Sequence, residues 1–234
     1  MRDGPYELVL RERTPEGKLL REEDIKGEAV VHGDRGGEFV VCVNIFRDSK
    51  SHKWPARKLR VGLHVDGQDV QYWNRVDLPE KLPVQVDYVT VIFEGFKKNT
   101  KDLRSFKFGT PDLKLPSARN YSSVIPSSSK VKVDDLGKIR ASIYTVSTAS
   151  KVAVVQNQSR FHEVPTHSLT GTEKKAKDQP SLVTVSGQGV VEEPGRFPDE
   201  LMTWNAASNP TAVLTITYHT QSWARLKRKL VELE

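Results

Sequence analysis

Residues 59–73 read LRVGLHVDGQDVQYW. Leu59, Val61, Leu63 and Val65 fall on one side of an extended chain, and Arg60, Gly62 and His64 on the other. That alternation belongs to a strand with one buried face and one wet face. Asp66-Gly67 then closes a hairpin into DVQYW, because glycine accepts the positive φ that a two-residue turn requires. Such a hairpin places the chain in the antiparallel β class.

Further strands extend outward from it. FVVCVNIF (39–46) sets Phe39, Val41, Val43 and Ile45 against Val40, Cys42, Asn44 and Phe46. Other strand patterns lie at Tyr6–Leu10, Gly27–Val31, Val84–Phe93, Lys138–Val146, Val152–Gln156, Leu182–Ser186 and Thr211–His219. One stretch has helical periodicity: in QSWARLKRKLVELE, Trp223, Leu226, Leu230 and Leu233 recur at three- and four-residue spacing. Nine or ten short strands and a helix at about 221–233 predict a single antiparallel β-sandwich over 1–234, jelly-roll-like or immunoglobulin-like. Two polar stretches interrupt it at about 109–137, rich in Pro and Ser, and 157–181. Both read as long loops inside one domain.

The 234 residues carry 36 Lys+Arg against 30 Asp+Glu, a net charge of +6. The signs are mixed along the chain, unlike the lopsided charge of a dedicated nucleic-acid protein. No stretch reaches the ~18 apolar residues of a membrane span, and MRDGPYELVL lacks the form of a signal peptide. A soluble protein of the cytoplasm or nucleus is expected. Cys42, the one cysteine, excludes an intrachain disulfide and a cysteine zinc cluster.

Few residues suggest chemistry. His64-Val65-Asp66 with the distant His219 has the composition of a two-histidine, one-carboxylate iron site. Asp66, however, is accounted for by its turn, and His64 by the wet face of its strand. His162 and His167 flank EVPT beside Glu163, with a spacing that suits neither one helical face nor one strand face. Cys42 sits in an apolar strand and reads as an inert core thiol. Gly33, Gly36 and Gly37 precede no helix that could receive a phosphate. From Lys50 to Lys107, twelve Lys+Arg face seven Asp+Glu, interleaved with Trp54, Tyr72, Trp73, Phe93 and Phe96. Basic residues beside aromatics can track a phosphate backbone and stack bases, although β periodicity explains the aromatics more simply.

Four segments occur in a recognisable order: LRVGLHVDGQDVQYW, IFEGFKKNTKDLRSFKFGT, DDLGKIRASIYTV and NPTAVLTITYHTQSWARL. Their shared marks are Asp66-Gly67, Gly95-Phe96 with Phe106 and Phe108, Leu136-Gly137, and Tyr218 before Trp223. In this pattern the chain resembles a family of uncharacterised proteins, common in mushroom-forming fungi and scattered in other microbial eukaryotes, described only as a domain of unknown function. It departs from that family at Tyr218-His219, where Tyr-Arg is usual. The resemblance implies a β-sandwich-like domain without an assigned activity, so no catalytic residue carries over.

The expectation for function is therefore a non-enzymatic interaction or structural module with a protein partner, without catalytic, cofactor or metal residues. The candidate contacts are Trp223, Leu226 and Leu230 of the helix with Lys97, Lys98 and Lys101. The alternatives are a non-specific nucleic-acid-binding protein, or a structural subunit of a larger assembly such as a virion or capsid.

Overall fold

The computed structural model describes residues 1–25, 27–78, 87–97, 102–109, 135–151, 182–191 and 202–225. Fourteen strands are defined among them: β1 (Arg2–Asp3), β2 (Tyr6–Glu12), β3 (Glu22–Ile25), β4 (Glu28–His32), β5 (Glu38–Phe46), β6 (Lys58–Val65), β7 (Gln68–Asp77), β8 (Tyr88–Phe93), β9 (Gly95–Lys97), β10 (Asp102–Gly109), β11 (Lys138–Lys151), β12 (Val183–Val191), β13 (Met202–Ala206) and β14 (Ala212–His219). Residues 221–225 form a helical turn. No helix among the described residues is long and apolar enough to cross a membrane.

Two sheets result. The first runs β1-β2-β5-β10-β12; β8 joins the far edge of β5, and β9 joins β10. The second runs β3-β4-β14-β11-β6-β7, with β13 continuing the β14 side of β11. The sandwich is mainly antiparallel, as expected, but β14 pairs with β4 in parallel, Tyr218 opposite Val31. A parallel pair needs a long crossover, which the intervening chain supplies.

The inward faces follow the alternation of the sequence. Phe39, Val41, Val43 and Ile45 of β5 and Leu59, Val61, Leu63 and Val65 of β6 are completely buried in one core that draws on both sheets. Phe39 lies at its centre, its ring 4.2 Å from that of Phe108 and 6.3 Å from that of Tyr218 across the sandwich. Asp66 and Gly67 both have positive φ, 52° and 74°, the geometry of a type I′ turn.

Several expectations change. The strand expected from Val84 is described from Tyr88, and Val152–Gln156 lies outside the described residues. β1, β3, β9, β10 and β13 are not among the strands expected from the sequence. Gly62 is on the outer face but buried, because the Trp73 ring covers it; a Cβ on Gly62 would lie 2.5 Å from that ring. Cys42 is buried, yet it pairs with Val9 on the side of the sheet opposite the core-facing Val41 and Val43. Burial raises its thiol pKa. The long loops at 109–137 and 157–181 fall almost wholly outside the described residues.

Candidate functional site

The hairpin turn of β6–β7 carries Asp66 inward, between the sheets, where it is 1% exposed. Its Oδ1 accepts the backbone N–H of Gly137 at 2.6 Å and the hydroxyl of Tyr218 at 2.6 Å. Its Oδ2 accepts the backbone N–H of Thr184 at 2.6 Å. The Tyr218 and Thr184 hydroxyls lie 2.7 Å apart, and the Asp66 N–H donates to the carbonyl of Lys138. Thr184 belongs to β12 of the first sheet, Tyr218 and Lys138 to the second, and Gly137 to the turn that leads into β11, so one carboxylate joins the two layers. Distances near 2.6 Å are those of charge-assisted bonds.

Burial pushes the Asp66 pKa up to about 6, while the donors from Tyr218, Thr184 and Gly137 pull it back. Burial and the adjacent carboxylate raise Tyr218 well above the usual phenol range. At neutral pH the pair is thus carboxylate and phenol. The sequence reading placed Asp66 in its turn correctly but missed this second role.

A second grouping lies on the outer face of the β7–β6–β11–β14 sheet. Cross-strand register sets Arg60 between Arg75 and Tyr144, Gly62 opposite Trp73, and His64 opposite Arg140. The Arg60 guanidinium lies 3.8 Å from the centroid of the Trp73 ring, and Trp73 meets Tyr144 edge-on at 5.6 Å. Next to them a depression of about 270 Å³ is lined by His64, Gly67, Asp135, Lys138, Arg140, Val213 and Thr215. Asp135 pairs with Arg140 at 3.6 Å. The basic and aromatic residues singled out in the sequence therefore separate. Phe93 and Phe96 are core, and Trp54 is half-buried with the Arg47 guanidinium 5.5 Å from its ring. Trp73 lies outside the core, while the side chain of Tyr72 is outside the described residues.

The three iron-site candidates occupy separate environments. His64 lines the outer depression, Asp66 is between the sheets, and His219 stacks on Trp223 with ring centroids 3.4 Å apart. Among the described residues, no group of three or more His, Cys, Asp or Glu is placed to hold a metal. His162, Glu163 and His167 lie outside them. Gly36 N–H donates to the Phe108 carbonyl and Gly37 N–H to that of Asp34, so those amides serve the loop itself.

Of the expected partner contacts, Trp223 is half-buried in the helical turn, and Lys97 is half-buried on β9, opposite Leu103. Leu226, Leu230, Lys98 and Lys101 lie outside the described residues. On the outer face of the first sheet, Tyr88 and Ile92 of β8 are 46% and 41% exposed. They stand opposite Phe46 and Cys42.

No family model, curated protein or solved structure matches the chain.

Proposed function

We propose that this chain is a non-enzymatic β-sandwich interaction or structural module that engages a protein partner. One observation carries the reading. Among the described residues, the convergence of Asp66 with Tyr218 and Thr184 is turned inward at 1%, 0% and 0% exposure and joins the two sheets. Groups sealed this way hold a fold together, whereas a catalytic set must reach a substrate from a cleft. The large exposed apolar side chains Tyr88 and Ile92 supply the kind of surface a protein partner covers.

The test is fractionation of a native extract by size. Migration of the chain well above 26.4 kDa with a stoichiometric protein partner, lost in a Tyr88→Ser/Ile92→Glu variant of unchanged thermal midpoint, supports the reading. Migration as the free chain, or a turnover activity abolished by Asp66→Asn in a folded protein, overturns it.

A further inference from the structure

We propose that the outer face of the β7–β6–β11–β14 sheet binds single-stranded nucleic acid, with bases stacking against the Arg60–Trp73 pair and Tyr144 and phosphates held by Arg75, Lys138 and Arg140. This surface belongs to the opposite sheet from Tyr88 and Ile92, so it is independent of the protein-partner reading.

The argument starts from Gly62. With no side chain there, the Trp73 ring settles onto β6, and the Arg60 guanidinium 3.8 Å from its centroid adds a second planar group. Tyr144 meets Trp73 edge-on on the neighbouring strand. Planar aromatic and guanidinium groups on a sheet surface are what unstacked bases pack against.

Charge points the same way. Arg60 and Arg75 are direct cross-strand neighbours, and Arg75 adds to burial in lowering the Arg60 pKa. Asp69 acts in the opposite sense on Arg60, and a phosphate would add to it. Four residues further along β6, or about 13 Å, His64 marks the second row, where Lys138 and Arg140 line the 270 Å³ depression. The acidic residues there are Asp135, which already pairs with Arg140, and Asp69, directly opposite His64.

Shape separates the possible anions. A DNA major groove admits a helix or a two-stranded ribbon, not the face of a broad sheet, so duplex is disfavoured. An acidic peptide would use the cations and leave the ring platform unused.

The test uses the full chain, fluorescence anisotropy and labelled oligothymidylate of roughly 12 nucleotides, within the range of single-strand site sizes. Expected is micromolar binding at about 50 mM salt, with a log–log salt slope near −2, about −0.7 for each of three phosphate contacts. Arg75 and Arg140 are exposed, so Arg75→Gln/Arg140→Gln should fold, with its thermal midpoint as the check. It should bind at least tenfold more weakly and flatten the slope by about 1.4. Trp73→Leu should weaken oligothymidylate binding and spare whatever weak binding polyglutamate shows. Asp135→Asn should tighten oligothymidylate binding severalfold by releasing Arg140. Absence of binding, unchanged affinity in the double arginine variant, or equal binding of polyglutamate or duplex DNA overturns the inference.

Discussion

The Tyr218 hydroxyl donates to Asp66 Oδ1 at 2.6 Å across 152 residues of sequence, next to the inward N–H of Thr184 from the opposite sheet. Removing the carboxylate strands three buried donors at once. Asp66→Ala should cost about 3–5 kcal/mol at pH 7, the range for breaking a buried charged network. Tyr218→Phe keeps the ring in the aromatic core and removes one donor, so about 1–3 kcal/mol is expected. Urea unfolding checks both, and the double variant should cost less than the sum of the two. Strict additivity would mean that the two groups do not share one network.

The pH dependence of this site has a definite sign. Burial lifts the folded pKa of Asp66 to about 6 from the usual 3.8, so the folded state holds its proton more tightly between those values. The contribution of Asp66 is therefore full below about pH 4 and declines as pH rises to about 6, by about 3 kcal/mol at 1.36 kcal/mol per unit. Asn does not titrate, so Asp66→Asn should destabilise more at pH 4 than at pH 7. Denaturant melts of both proteins at the two pH values decide it. A larger loss at pH 7 would mean that the three short donors outweigh burial and hold the carboxylate below 3.8.

What the sequence disclosed of this arrangement depends on distance along the chain. The β6–β7 hairpin was legible because its alternation and its Asp-Gly turn are local. The partners of Asp66 lie 71, 118 and 152 residues away, beyond any periodic signal. β10 escaped for a local reason: a bulge between Arg104 and Phe106 breaks the period of two, so Leu103, Ser105, Phe106 and Phe108 are all buried. β3 reads Glu-Glu-Asp-Ile and carries almost no apolar signal; its pairing with β4 makes it a strand. The outer basic–aromatic face was visible as residue types, but only register separates Trp73 from the core residues Phe93 and Phe96.

Gly62 and Gly67 should both resist substitution, for different reasons. At Gly62 the obstacle is the Trp73 ring, 2.5 Å from a new Cβ. Gly62→Ala should push that ring outward and shift tryptophan emission to the red, with a stability loss of about 1–3 kcal/mol, as for overpacking. At Gly67 the φ of 74° strains any side chain, and Asp135 Cβ lies 2.9 Å away. Gly67→Val should therefore cost about 1–3 kcal/mol in backbone strain alone and loosen the turn that presents Asp66. Unchanged emission in Gly62→Ala would show that Trp73 does not rest on β6.

The helical turn at 221–225 is docked through its first residues. Thr220 caps it, its hydroxyl accepting the Trp223 N–H at 3.3 Å, which satisfies one of the amides left open at a helix start. Trp223 stacks on His219, and Ala224 is completely buried beside Ile25 of β3 and Val30 of β4. The turn thus covers the end of the second sheet where the parallel β4–β14 pair closes. Thr220→Ala should cost about 1 kcal/mol through the lost cap. Trp223→Ala should cost about 1.5–3 kcal/mol, since a large apolar side chain is uncovered and the His219 ring loses its stack. Ala224→Glu should be the most damaging, because it forces a charge into a site with neither room nor a partner among Ile25 and Val30. Thermal melts of the three variants test the order. If Ala224→Glu left the midpoint unchanged, residue 224 would not be buried and the turn would not be docked at this end of the sandwich.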